Sequence, residues 1–153
     1  MYKLMTAQLQ ALLESCALPL PALANCSALL WDHLDRINWA GFYLLKGDTL
    51  YLGPFQGKAA CTVIPVGKGV CGTAAATREI QLVPDVHLFP GHIACDSASN
   101  SEIVLPIIVN DTLIGVLDID SPDFNRFNQA DAEGLATLCE ILASQVYWEG
   151  GLL

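Results

Sequence analysis

The sequence predicts an α+β domain, with helices packed against a central antiparallel sheet. Three observations predict it. Helix-like apolar stripes open and close the chain, and strand-like runs fill its middle in pairs. Short turns join those pairs, where parallel strands would need long crossovers. At 153 residues, one domain spanning 1–153 is the expectation.

The elements follow in order. Residues 3–15 and 21–37 read as helices separated by Pro19 and Pro21, and Leu23, Leu30, Leu34 and Ile37 give the second a one-sided stripe. Strands are expected over 38–45 and 49–55, joined by the turn signal Lys46-Gly47-Asp48. A further strand is expected over 60–64, a short helix over 70–78 after Gly67 and Gly69, and a weak strand over 80–83 that stops at Pro84. From 84 to 101 no element is evident, and a segment of that length inside a compact domain points to function. Strands 102–109 and 113–120 come next, around a loop at 110–112. The last helix spans 129–148, with Asn128 as N-cap, Asp131 at the favoured third position, and Leu135, Leu138, Leu142 and Val146 as its stripe.

Composition bounds the function. Apolar residues are 53% of the chain, ample for a core. Sixteen acidic residues against seven basic ones give a net charge of −9, which excludes nucleic acid and anionic membrane surfaces as partners, since both need clustered cations. No apolar run reaches the length of a bilayer span. The opening MYKLMTAQLQ lacks the features of a signal peptide, so a soluble, cytoplasmic protein is expected.

The pair of strands EIVLPIIV and LIGVLDID carries the first chemical signal. Alternate residues of a strand share a face. Ile103, Leu105, Ile107, Val109, Leu113, Gly115, Leu117 and Ile119 form a wholly apolar face that must meet a core. If Val109 pairs with Leu113, Glu102 lies opposite Asp120 on the other face, with Asp118 next along the strand. Three carboxylates then converge beside Val104, Ile108, Ile114 and Val116. Like charges directly opposed destabilise a sheet. A solvated hairpin end would tolerate them; a part-covered face needs a bound cation or a shared proton.

In NWAGFYL, Trp39, Gly41 and Tyr43 share a face, with Gly41 leaving space between two rings; ordinary core packing is the alternative. Six cysteines occur without a CxxC pair. Cys16, Cys26 and Cys139 fall in helical patterns and read as small hydrophobes. Cys61, Cys71 and Cys95 lie beside turn residues, where thiols in a reducing compartment are catalytic, redox-active or metal-binding. Cys95 sits in FPGHIACDSASN, seven residues before Glu102, so its loop leads into the acid patch.

NWAGFYL, LGPFQGKAACTVIPVGKGVCGTAA, VPDVHLFPGHIACDSASNSEIVLPI and GVLDIDSP together resemble the free methionine-(R)-sulfoxide reductases, enzymes built on a GAF fold, over residues 38–125. The resemblance implies a GAF-like sheet and Cys95 as the nucleophile that attacks the sulfoxide sulfur. It implies Cys61 or Cys71 as the thiol that resolves the sulfenic acid, and Glu102, Asp118 and Asp120 as the carboxylates of the pocket. Trp39 and Tyr43 match its aromatic residues. Thioredoxin or a similar dithiol as reductant and a homodimeric tendency are implied in the same way. No cofactor is expected.

Two other readings remain. GAF domains also sense small ligands without catalysis. His87, His92, Cys95 and Asp96, with Cys61 or Cys71, offer metal-ligand types, but their spacing matches no zinc signature, so no metal is expected and the two histidines read as loop packing or hydrogen bonding. Gly67-Lys68-Gly69 lacks the rest of a phosphate-loop pattern, and His33 reads as surface.

Overall fold

The computed structural model describes residues 1–92 and 98–153. The elements are α1 (Tyr2–Ser15), α2 (Pro19–His33), β1 (Trp39–Lys46), β2 (Thr49–Gly57), β3 (Val63–Pro65), α3 (Gly69–Thr77), β4 (Gln81–Val83), β5 (Ser101–Val109), β6 (Thr112–Ser121) and α4 (Gln129–Gln145). The six strands form one antiparallel sheet in the order β3-β2-β1-β6-β5-β4. No helix among the described residues is long and apolar enough to cross a membrane.

Strand alternation divides the interior in two. On one face, Ala40, Phe42, Ile103, Leu105, Ile107, Leu117 and Ile119 pack against α1, α2 and α4. On the other, Trp39, Tyr43, Val104 and Val116 pack against α3 and the turns around it. The helical face supplies the larger core. Each Leu or Ile fully removed from water there stabilises the fold by about 1.5–3 kcal/mol. The smaller face is the one that carries acids.

Helix ends explain most boundary differences from the expected elements. Pro19 and Pro21 do not separate two helices; they open α2, because first-turn N–H groups lack intrahelical acceptors and proline loses nothing there. The same helix stops at His33, short of 37. Leu34 is already extended, Arg36 takes a positive φ of 54°, and the Arg36 carbonyl accepts from Ser121 Oγ on β6. Helix α4 begins with a reciprocal capping box: Asn128 Oδ1 accepts from Asp131 N at 3.0 Å and Asp131 Oδ2 from Asn128 N at 2.9 Å. It ends at Gln145, because Tyr147 N donates to the Ala17 carbonyl and Trp148 Nε1 to the Leu142 carbonyl. Among the described residues between 84 and 101, a 3-10 turn forms at Val86–Leu88, with Asp85 Oδ1 accepting from His87 N.

The β5–β6 hairpin corrects one expectation. Its loop is two residues, Asn110 and Asp111, both with positive φ (49° and 65°), as a tight hairpin twist requires and as Asn and Asp tolerate. Val109 therefore pairs with Thr112, and Ile108 with Leu113. Ile114 is then an extra residue, a β-bulge, after which Ile107 faces Gly115. The bulge moves Leu113 to the acid-bearing face and Ile114 to the helical one. Beyond it the anticipated register holds, and Glu102 pairs with Asp120.

Candidate active site

The acids occupy the middle of the sheet. Trp39 on β1, Asp120 on β6 and Glu102 on β5 form one row across three strands; Gly41, Asp118 and Val104 form the next. Strand pairing alone thus sets three carboxylates beside an indole. They floor a cavity roofed by the 58–60 segment, the start of α3 and His92. Glu102 and Asp118 are only 6% and 5% exposed. Burial pushes the Glu102 carboxyl well above the usual range, and the neighbouring Asp118 and Asp120 push it further. Burial also raises Asp118, against hydrogen bonds from Glu102, Cys71 and Asp120 that lower it. Asp118 Oδ1 is buried and makes no hydrogen bond among the described residues. Burial therefore favours the protonated forms of Glu102 and Asp118.

The aromatic residues do more than line the wall. The Trp39 and Tyr43 rings stack with centroids 5.8 Å apart, and Phe55 stacks on Trp39 at 5.1 Å. Phe55 takes the space above Gly41, so the gap expected between the two rings is filled. Trp39 Nε1 donates to the Lys58 carbonyl at 3.1 Å, and the Tyr43 hydroxyl to the Cys61 carbonyl at 2.9 Å. These two bonds fit the start of β3 at Val63 rather than at 60, since the Lys58 and Cys61 carbonyls serve ring tips and the Thr62 carbonyl, just before Val63, accepts from Leu52 N on β2. Burial keeps the Tyr43 phenol protonated, hence a permanent donor.

The cysteines separate clearly. Cys61 is disulfide-bonded. Cys71, near the start of α3, is a free and buried thiol. Its sulfur and the carboxylate oxygens of Glu102 and Asp118 all lie within 4.8 Å of one another. Burial raises its pKa strongly, and Asp118, Glu102 and Asp120 add to the effect, so Cys71 is a poor nucleophile where it sits. Cys26 and Cys139 are buried in the helical core as expected, the former pushed up to about 12 by burial. Cys16 is exposed. Cys95 and Asp96 lie outside the described residues.

His87 meets the expectation of a hydrogen-bonded loop residue, whereas His92 faces the cavity. His87 is exposed and bonded to Asp85 at 2.8 Å. His92 lines the cavity, with Nε2 3.9 Å from Glu102 Oε1; burial lowers its pKa, and His87 lowers it further. The start of α3, where Gly67-Lys68-Gly69 lacks the rest of a phosphate-loop pattern, also reaches the cavity. Lys68, Gly69 and Val70 line the cavity, and the first N–H groups of α3 have no side-chain cap. Glycines flanking a lysine just before a helix were the available signal for an anion-facing helix start.

The likenesses to known proteins agree with this geometry. The GAF domain family model matches residues 5–146. The chain is 61% identical to the free methionine-R-sulfoxide reductase of Escherichia coli over 132 residues, covering 84% of this chain and 80% of that protein. It is 52% identical to the free methionine-R-sulfoxide reductase of Saccharomyces cerevisiae over 128 residues, 78% of this chain and 71% of that one. Among solved structures, fRMsr of Staphylococcus aureus in complex with substrate superimposes with a TM-score of 0.90 at 52% identity, covering 95% of each chain. A GAF sheet whose central strands carry a buried carboxylate row beside stacked aromatics, joined to these identities, places the chain in the GAF domain family and, within it, among the free methionine-R-sulfoxide reductases.

Proposed function

We propose that the protein reduces free methionine-(R)-sulfoxide to methionine through Cys95, with Cys61 as the resolving thiol and thioredoxin or a similar dithiol as the final reductant. The observation that carries the reading is the row of Trp39, Asp120 and Glu102 on the floor of one cavity, with Asp118 beside it. Each end of a free amino acid finds a complement there. The substrate ammonium meets the carboxylates, where an ionised acid gains a charge-assisted bond. The substrate carboxylate meets the uncapped start of α3 and Lys68. Trp39 cradles the sulfur-bound methyl. A side chain within a folded protein, lacking both free ends, fits far less well.

The chemistry then balances. The Cys95 thiolate attacks the sulfoxide sulfur and forms an S–S bond; the protonated oxygen then passes to the Cys95 sulfur as the substrate S–O bond and the new S–S bond break, leaving methionine and a sulfenic acid on Cys95. The substrate sulfur gains two electrons and Cys95 loses two. Sulfoxide oxygen leaves only when protonated, and Glu102, held protonated by burial and its acidic neighbours, supplies that proton. Cys61 attacks the sulfenic acid, forming a disulfide and releasing water. Dithiol exchange restores both thiols. Cys61 is favoured over Cys71 because it is disulfide-bonded here, while Cys71 stays free, buried and strongly raised in pKa. Such a cycle suits a reducing cytoplasm.

The test is NADPH consumption with thioredoxin, thioredoxin reductase and methionine-(R)-sulfoxide. Turnover is expected, Cys95→Ser is expected to lose even the first methionine formed, and Cys61→Ser to keep the first and lose recycling. Normal single-turnover activity in Cys95→Ser would overturn the reading, and absence of any turnover would leave a ligand-sensing module in its place.

A further inference from the structure

The proposed cycle leaves Cys71 unused. Its sulfur lies within 4.8 Å of carboxylate oxygens of both Glu102 and Asp118, and all three residues are buried. His92 Nε2 lies 3.9 Å from Glu102 Oε1 of the same group. An independent feature points to an occupant: Asp118 Oδ1 is buried, lines the cavity and makes no hydrogen bond among the described residues. An ammonium group would satisfy that oxygen but has no use for a thiol at its side.

We propose that this cavity is also a site for one zinc-class divalent cation, ligated by Cys71, Glu102 and Asp118 with His92 as the fourth donor, and that the ion excludes substrate. The donor set selects the metal. Thiolate and imidazole beside two carboxylates suit Zn²⁺, whereas Mg²⁺ and Ca²⁺ take oxygen alone. The spacing suits it as well. Bonds of about 2.0–2.3 Å in a tetrahedron set ligand atoms roughly 3.4–3.8 Å apart. The His92–Glu102 distance is already near that value, and the Cys71, Glu102 and Asp118 donor atoms lie within 4.8 Å of one another. Protons displaced from Cys71 and the carboxyls go to solvent as the ion enters. The ion takes the acids that the proposed function gives to the substrate ammonium, and this competition is the only part that rests on that reading.

The experiment uses the full chain with its Cys61 disulfide intact, no added thiol, and the exposed Cys16 replaced by Ser in every sample. Co²⁺ is titrated first and then displaced with Zn²⁺. One equivalent of Co²⁺ is expected to bring a thiolate-to-cobalt charge-transfer band and the intense visible bands of a tetrahedral ion. Cys71→Ser should abolish the charge-transfer band and weaken Zn²⁺ at least about tenfold. Glu102→Gln, folding checked by circular dichroism, should weaken Zn²⁺ by a similar factor while keeping the band. Methionine sulfoxide should raise the apparent Zn²⁺ Kd in proportion to its concentration. No thiolate band, or a band that survives Cys71→Ser, overturns the site. A Cys71-dependent band untouched by methionine sulfoxide leaves the ion in place and instead removes the substrate placement.

Discussion

Replacing Gly41 with Ala probes the packing that holds the aromatic wall. A Cβ built there lies 2.3 Å from Phe55 Cβ, 2.7 Å from its Cα and 2.8 Å from the Pro54 carbonyl oxygen. Carbon atoms in contact sit about 3.5–4.0 Å apart. Strand β2 must therefore retreat by more than 1 Å at this point, as ~1.2 Å separates 2.3 Å from the lower limit. Two of the three opposing atoms are backbone, so no side-chain rotation relieves the clash. Overpacking of this kind costs about 1–3 kcal/mol. For a chain of this size each kcal/mol lowers Tm by about 2–4 °C, so a fall of about 2–12 °C is expected. Phe55 moves with β2 and takes its stacking contact away from Trp39, so KM for methionine sulfoxide should rise several-fold with a smaller effect on kcat. Thermal unfolding followed by far-ultraviolet circular dichroism and steady-state kinetics read the two effects. A Gly41→Ala protein melting within about a degree of its parent, with KM unchanged, would refute the idea that close β1–β2 approach positions the cradle.

Other perturbations test the acids and the tether. The folded Glu102 carboxyl keeps its proton where an unfolded one has lost it, so the folded state binds more protons and stability falls as pH rises through the raised value. With a chelator present, the Tm of Glu102→Gln should gain on that of the parent from about pH 4.5 upward, and parallel curves would contradict the burial argument. Tyr43→Phe removes the donor to the Cys61 carbonyl. It should cost about 1–3 kcal/mol and speed amide exchange across residues 58–62 by mass spectrometry; unchanged exchange would show that the segment does not depend on the phenol.

What could be read in advance depended on how local each signal was. The meeting of Glu102, Asp118 and Asp120 was legible because strand parity needs only the sequence and one pairing, and the pairing beyond the bulge was as anticipated. The faces of Trp39, Tyr43, Ala40 and Phe42 were legible for the same reason. The bulge at Ile114 was hidden, since Asn110-Asp111-Thr112 fits a three-residue loop until the left-handed tolerance of Asn and Asp is weighed. His92 and the start of α3 were hidden for a different reason. Their place at the cavity depends on how distant loops cross the sheet, and no local period encodes that. The position of Cys95 lies outside the described residues, so its part in the chemistry rests on experiment.

The surplus residue at Ile114 also works as a shock absorber. Side chains alternate along a strand, so a one-residue slip of β6 against β5 would turn two aspartates toward oily helices and bring leucines into the polar chamber. Because the irregularity sits near the hairpin tip, length changes at Asn110 and Asp111 can be taken up there before they reach the working end. Natural or engineered variation is therefore tolerable at that tip, whereas a single insertion between Glu102 and Ile107 would invert the chamber.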